Sequence, residues 1–463
     1  MSAEVMEQET TDSQSARVAN GQWSRRTLAA AAGVVVLALF LATMAVPHTG
    51  FNPDESRWIS RAHYLAALTD PFGPVWADQY MTRGQPPLGS YLTGLGLIAQ
   101  GRDLKTNPPW DFAIAWEANI AVGNKPAPDD LAAGRRTSAV LVAIATMAVM
   151  AAAAAFVPPA WAVAAGALFA VHPFTSYIGS IAMADALFGL LIALAAVAAK
   201  ALAQRPSWSR AVLLGALLGL GGATKLSPLV LAVGFSAAGA LWIAAIAIRR
   251  QHGAQRDALF AAKLLVIGAT AVVAFVAVYP YLWPDPIERT HNLFTFRTEE
   301  MAAQASDWPV MAVPTRAEAL RRVGVNFGER YSIAGALADR LGVTTPPSLR
   351  HLEVALPVLG IVVMTAIAVR AGRTSPQAFV LAVLGGQSAI TILAMRSEFD
   401  RYHLPMALLG AVAAAVALHG AAVALMRARY RAPEQDVADA ASQSSPTRKA
   451  WRNGASIPTR NTG

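Results

Sequence analysis

Two adjacent carboxylates, Asp54 and Glu55, follow directly on the first hydrophobic run, in Phe51-Asn-Pro-Asp-Glu-Ser-Arg-Trp-Ile-Ser-Arg-Ala-His-Tyr64. Carboxylates are hard to dehydrate, so beside a membrane they face water or a polar cleft. An ionised carboxylate placed there takes a proton from an acceptor hydroxyl, provided the hydroxyl is within hydrogen-bond reach. A second acid, Asp185, stands alone in the apolar stretch Ser180-Ile-Ala-Met-Ala-Asp-Ala-Leu-Phe188, which marks it as functional by default. Lys225 lies in Gly219-Leu-Gly-Gly-Ala-Thr-Lys-Leu-Ser-Pro228, and Arg401-Tyr402 in Ser397-Glu-Phe-Asp-Arg-Tyr-His-Leu-Pro405. Cations at a membrane interface suit a phosphate, which arginine holds bidentately and lysine as a point charge. Arg135, at the start of a later apolar run, is a further cation for an anionic partner.

Each of these residues also has a plainer role. Asp54 precedes Trp58, Ile59, Ala62, Leu65 and Ala66, whose spacing predicts an amphipathic helix over Asp54–Leu68 with Asp54 as its N-cap. Asp185 suits a helix start in the same way, and the cations suit side chains that snorkel to lipid headgroups. His172 and His291 have no neighbouring histidine at ligand spacing, so no metal site is expected. The sequence holds no Gly-x-x-x-x-Gly-Lys-[Ser/Thr], no Gly-x-Gly-x-x-Gly and no Gly-x-Ser-x-Gly in a strand–turn–helix setting, which leaves a nucleotide-driven pump unsupported.

The elements that must position these residues are membrane helices. Of 463 residues, 55% are hydrophobic and 14% charged, and the mean hydropathy is +0.40. Soluble domains carry about a quarter charged residues, so the solvent here is lipid. The net charge of +9 is no sign of nucleic acid, because the basic residues sit in short clusters between apolar runs and in the C-terminal tail. The absence of cysteine excludes disulfides and thiol ligands.

The first apolar run, Thr27–Val46, reads as an uncleaved anchor behind Arg25-Arg26. Further spans are expected near 134–156, 159–176, 186–203, 211–223, 228–248, 264–282, 352–370, 377–395 and 403–426. Pro86–Gln100 is apolar but only about 15 residues long, short of the roughly 20 needed to cross. If it stays on one side, Arg25-Arg26, Lys200/Arg205/Arg210, Arg249/Arg250/Arg256/Lys263, Arg370/Arg373 and the basic tail all fall inside, as the positive-inside rule requires.

The expectation is an all-α polytopic membrane protein with about ten transmembrane helices, external juxtamembrane helices and both termini cytoplasmic. Residues 1–24 and 427–463 are expected to be disordered, flanking a membrane domain over 25–426. Its two large external loops, 47–133 and 283–350, lie on the side of Asp54, Asp185, Lys225 and Arg401. Tyr279-Pro-Tyr-Leu-Trp-Pro-Asp-Pro286 ends one span, and the segment from Ile287 to Met301 reads as an amphipathic lid over an external cleft.

In order and in sidedness these strings resemble the GT-C superfamily of membrane glycosyltransferases, nearest the protein O-mannosyltransferases and the lipid A aminoarabinose transferases. The resemblance runs from Asp54-Glu55 through Gln85-Pro-Pro-Leu, Arg135 or Arg136, Asp185 and Thr224-Lys225 to Arg401-Tyr402-His-Leu-Pro405, covering about residues 25 to 426. It implies transfer of a sugar, mannose in the first of these branches, from a polyprenyl-phosphate carrier to a protein or envelope-glycan acceptor outside the cell membrane. It also implies Asp54 as general base and Asp185 as a second catalytic carboxylate. Glu55, Arg135, Lys225, Arg401 and Tyr402 would bind substrate, and no cofactor is implied. Gln85 departs from the pattern, since relatives often carry Lys or His there. The rival expectation is a polytopic transporter or lipid flippase, which keeps its ionisable residues near the midplane of the bilayer.

Overall fold

The computed structural model describes residues 23–249 and 254–444, so the ends of both terminal segments expected to be disordered lie outside the described residues. The chain divides into a unit Met1–Ala417, which holds the cleft described below, and a unit Leu418–Gly463, which takes the later part of the last helix. Helices dominate: α1 (Arg25–Ala45), α2 (Pro53–Ser60), α3 (Leu88–Ala99), α4 (Pro128–Ala153), α5 (Pro159–Val171), α6 (Pro173–Gly179), α7 (Asp185–Gln204) and α8 (Trp208–Gly222). They continue with α9 (Ser227–Ile248), α10 (Gln255–Ala277), α11 (Pro286–Asp307), α12 (Arg316–Val325), α13 (Ile333–Leu341), α14 (Pro347–Ala371), α15 (Pro376–Ala394) and α16 (Leu404–Ser444). Among the described residues the only extended pairing is an isolated antiparallel bridge between Ala312 and Ser397.

Eight of these helices are long and apolar enough to cross a membrane, which makes the fold all-α and polytopic. Each expected span has its helix, with two differences. The span at 159–176 is broken into α5 and α6, which meet at 66°. The break falls at His172-Pro173: proline has no N–H to continue the helical ladder, and His172 turns extended and accepts the Phe174 N–H on Nδ1 at 3.2 Å. The span at 211–223 is α8, only 15 residues long, or about 22 Å against a hydrocarbon core of about 30 Å. The apolar segment 86–100 forms α3, 12 residues long, which is likewise too short to cross.

α7 is the central element. Of its apolar window 72% is inside the protein, against 17% for the windows of α1 and α14, which present their apolar side chains to lipid. Its buried Ala193, Ala195, Ala196 and Ala199 let neighbouring helices approach closely, as small residues do in membranes. Beside the bundle, the two large loops are folded and largely helical. Tyr64, Trp76, Tyr91, Tyr279, Tyr281 and Leu293 form a second, aromatic core between them.

The stretch expected as one helix over Asp54–Leu68 is α2 followed by single turns at Arg61–Tyr64 and Ala66–Thr69. Its apolar residues Trp58, Ile59 and Ala62 are buried in protein rather than laid on lipid.

Candidate active site

The N-cap of α2 is Asn52, not Asp54. Asn52 Oδ1 accepts the Asp54 N–H at 3.0 Å, and its own N–H is held by the Glu55 carboxylate at 3.0 Å. Pro53 fills the first helical position, where no amide proton is needed. The cap thus falls two residues earlier than the sequence suggested, and the Asp54 carboxylate is left out of it. That carboxylate accepts from Arg401 Nη2 at 2.7 Å, with both side chains mostly enclosed.

Asp185 opens α7 without capping it. Its side chain is 3% exposed and paired with the Lys225 ammonium. Lys225 stands in the short turn between α8 and α9, 5.0 Å from the centre of the Tyr402 ring and 5.3 Å from that of Phe188. Burial pushes the Lys225 ammonium below the ordinary lysine value, with the Asp185 charge opposing. Arg401 and Tyr402 belong to a turn, Asp400–His403, that leads into α16. The strand-like contact before this turn anchors it: Val313 N donates to Arg396 O at 2.7 Å and Glu398 N to Met311 O at 2.8 Å. Arg322 ties the same loops together through Ala312 O at 2.8 Å and Glu398 Oε2 at 3.1 Å.

Asp185, Lys225, Arg401 and Tyr402 line one cleft of about 310 Å³, and Asp54 reaches it through Arg401. A third cation, Arg297 on α11, shares the lining. It donates to Gly84 O at 3.0 Å and pairs with Glu300. α11 covers the cleft with Phe294, Arg297, Thr298 and Met301, spaced as one helix face, which is where the sequence put a lid. Arg297 itself was not singled out from sequence, although that spacing points to it. Gln85-Pro86 add to the lining, held beside Lys225 because Leu88 N donates to Ala223 O at 3.0 Å. Gly89 makes this approach feasible, since a Cβ there would sit 2.6 Å from Ala184 Cβ and 2.7 Å from the Trp58 ring.

Glu55 and Arg135, expected at the substrate, are not at the cleft. Glu55 is 0% and Arg135 5% exposed, and they pair with each other. Arg135 Nε donates to Glu55 Oε1 and Nη2 to Oε2, both at 2.8 Å. The remaining Arg135 donors go to Val46 O at 3.0 Å, Thr49 O at 2.8 Å and Gly50 O at 2.9 Å. Glu55 Oε1 also accepts the Ala182 N–H at 2.8 Å. All polar atoms of both side chains are therefore occupied, and the pair braces the α2 start against the turn that precedes Asp185. Among the described residues no group of three or more His, Asp or Glu is gathered as a metal would need. His172 makes the turn described above, and His291 lies exposed on α11.

No protein-family model and no curated protein matches the sequence. Among solved structures, the chain is similar to the archaeal oligosaccharyltransferase AglB from Archaeoglobus fulgidus in complex with an inhibitory peptide and a dolichol-phosphate. There the TM-score is 0.48 and identity 14%, over 88% of this chain and 52% of that one. It is also similar to ArnT from Cupriavidus metallidurans bound to undecaprenyl phosphate, with TM-score 0.47 and identity 16%, over 83% of this chain and 59% of that one. The chain thus spans between half and three-fifths of the length of these two proteins.

Proposed function

We propose that the chain is a membrane glycosyltransferase that moves a sugar from a polyprenyl-phosphate carrier to a hydroxyl acceptor on the extracytoplasmic side. The observation that carries this reading is one cleft lined by Lys225, Arg297, Arg401 and the Asp185 carboxylate, with Asp54 held to it through Arg401. Three cations in a partly dry site fit a phosphate group, and they stabilise the negative charge that grows on it as a glycosidic bond breaks.

In the reaction, the acceptor O–H loses its proton to an Asp54 oxygen. The acceptor oxygen forms a bond to the anomeric carbon, and the bond from that carbon to the phosphate oxygen breaks. The electron pair leaves on the carrier phosphate, which Lys225, Arg297 and Arg401 hold; attack from the face opposite the phosphate inverts the centre. Each of these cations is paired with a carboxylate: Lys225 with Asp185, Arg297 with Glu300, Arg401 with Asp54. An arriving phosphate competes for them. As Arg401 turns toward the phosphate, the Asp54 oxygen that accepted from it is free to take the acceptor proton. Asp185 stays on Lys225 or turns to an acceptor or sugar hydroxyl. No step is assigned to a divalent ion.

The transporter reading fares less well, because Asp185, Lys225 and Arg401 belong to helix ends and connecting turns, and Arg297 to the polar helix α11, rather than to broken helices at a midplane. The clusters around Lys200–Arg210 and Arg370–Arg373 lie at the far ends of α7 and α14, which favours an external cleft by the positive-inside rule. The test is transfer from radiolabelled polyprenyl-phosphate mannose, and from other sugars on the same carrier, by purified protein in detergent. Asp54→Asn is expected to abolish transfer while leaving membrane insertion intact, with the unfolding temperature lowered only by the loss of the Arg401 pair. Wild-type transfer by that variant removes Asp54 from the role of base.

A further inference from the structure

A second cavity, of about 640 Å³, lies between α12, the turn that follows it and the start of α14. It shares no lining residue with the cleft, and its volume falls in the range of ligand pockets, about 300–1,000 Å³. The turn Asn326–Arg330 is wound wider than an α-helix, with the Tyr331 N–H reaching back five residues to Asn326 O at 2.9 Å. Such π turns break the regular ladder and recur at functional sites. Here the turn is seated on α14 through Gly328, where a Cβ would lie 3.0 Å from Val354 Cγ2 and 3.7 Å from the Arg350 carbonyl oxygen. Glu329 and Arg350 are thereby brought to one cavity.

The fold makes no use of these two charges. Arg350 is half-buried and its Nε is enclosed without an acceptor; among the described residues its side chain has no hydrogen bond and no ion pair. Glu329 is exposed, and among the described residues its carboxylate has neither as well. The other arginine of the lining, Arg321, is taken by Glu318, with Nε on Oε2 at 2.7 Å and Nη2 on Oε1 at 2.8 Å. An enclosed donor without a partner costs free energy. A cation and an acid that line one space without meeting suit a ligand that carries both opposite charges.

The remaining wall is apolar, made by Val354, Ala355 and Val358. Val358 and Val362 are 56% and 61% exposed, on a helix whose membrane-spanning window is only 17% buried. Residues four apart share a helix face, so the cavity continues along α14 as a track open to lipid. We infer that this cavity binds a phospholipid with a primary amine in its headgroup, of the phosphatidylethanolamine type. Its phosphate sits on Arg350, its ammonium on Glu329, and one acyl chain follows Val354, Val358 and Val362. A lipid with an uncharged headgroup alcohol satisfies Arg350 and leaves Glu329 without a counter-ion, and a soluble phosphoester leaves the track uncovered. The assignment does not depend on the glycosyltransferase reading.

The experiment is native mass spectrometry of the detergent-purified full chain, titrated with dioleoyl phosphatidylethanolamine, dioleoyl phosphatidylglycerol and glycerophosphoethanolamine. The wild type is expected to prefer the ethanolamine lipid and to leave the soluble headgroup unbound at the same concentrations. Arg350→Gln should weaken both lipids about tenfold or more, as loss of a hydrogen bond to a charged group does. Glu329→Gln should weaken the ethanolamine lipid alone, by about two- to fivefold, the range for an exposed ion pair. Neither substitution removes a contact of the fold, so unfolding temperatures without added lipid should match the wild type. If Arg350→Gln does not fold, Glu329→Gln decides through headgroup preference, and Ala355→Trp, which places an indole in the cavity, through loss of both lipids. Unchanged affinity for the ethanolamine lipid in Arg350→Gln overturns the proposal, as do equal effects on the two lipids in Glu329→Gln. Glycerophosphoethanolamine bound as tightly as the lipid also overturns it, because the cavity is then a site for a soluble phosphoester. No sugar transfer is read, so this outcome and that of the transfer assay are independent.

Discussion

Replacing Glu55 by Gln distinguishes a brace from a substrate ligand. The Glu55 carboxylate accepts four hydrogen bonds, two on each oxygen: Arg135 Nε and Ala182 N on Oε1, Arg135 Nη2 and Asn52 N on Oε2. Glutamine keeps the shape but turns one oxygen into an NH₂ group, so two of the four bonds become donor–donor contacts, and Arg135 loses its counter-ion. Breaking a buried pair in this way costs about 3–5 kcal/mol. The entropy of unfolding grows with length, and in a chain of this size each kcal/mol lowers the midpoint by roughly 1–2 °C. The expected fall is thus roughly 3–10 °C, read by thermal unfolding in detergent. Arg135→Gln should fall by a similar amount, and the double variant by clearly less than the sum of the two. Transfer at low temperature should survive in Glu55→Gln, weakened only as far as Asp54 and Asp185 lose their relative placement. A variant with the wild-type midpoint and no transfer would refute the brace and return Glu55 to the substrate.

The remaining predictions concern the cleft and its supports. Lys225→Arg tests the charge on Lys225: burial lowers its pKa, so wild-type transfer should decline as pH rises at a lower pH than free lysine, about 10.4, would give, and the arginine variant should lack that decline. Arg297→Ala should raise the KM for the lipid donor roughly tenfold or more, as loss of a charge-assisted contact does, with kcat read separately. Glu318 is held near pKa 2 by hydrogen bonds from Arg321 and Arg322. Because that value lies below the unfolded one of about 4.3, its contribution to stability is complete above pH 4.3 or so and is lost as pH falls through about 2. Glu318→Gln should flatten that acid limb of the unfolding curve.

The membrane architecture was legible because long apolar runs and the lysine and arginine bias are local signals that lipid imposes on each segment by itself. The break at His172-Pro173 carried a local signal too, a proline inside an apolar run, and went unread because a hydropathy sum does not register a missing N–H. The cleft was legible in outline, since Asp54, Asp185, Lys225 and Arg401 are each an isolated charge in an apolar neighbourhood. The pairing within it was not. Arg135 lies 80 residues from Glu55 and Arg401 lies 347 from Asp54, and nothing in sequence distinguishes an arginine that meets a ligand from one that meets a carboxylate.

The two acids at the start of α2 could not have shared one task. Successive side chains on a helix point about 100° apart, so a helix packed against the bundle sends one of two neighbours inward and the other along its flank. Here Glu55 is the inward one: it meets Arg135 and, through the Ala182 N–H, the turn just ahead of Asp185. Asp54 is left on the flank toward Arg401. The consequence is mechanical as well as electrostatic. The base proposed at Asp54 needs a fixed distance to the bond being broken, and Glu55 fixes Asp54 relative to Asp185 from the adjacent position on α2, through the donors it accepts. On the glycosyltransferase reading, changes elsewhere in the cleft leave Asp54 in place. A change at Glu55 is felt in stability and in the placement of Asp54, because among the described residues no other side chain accepts from the start of α2, from α4 and from the turn before α7 at once.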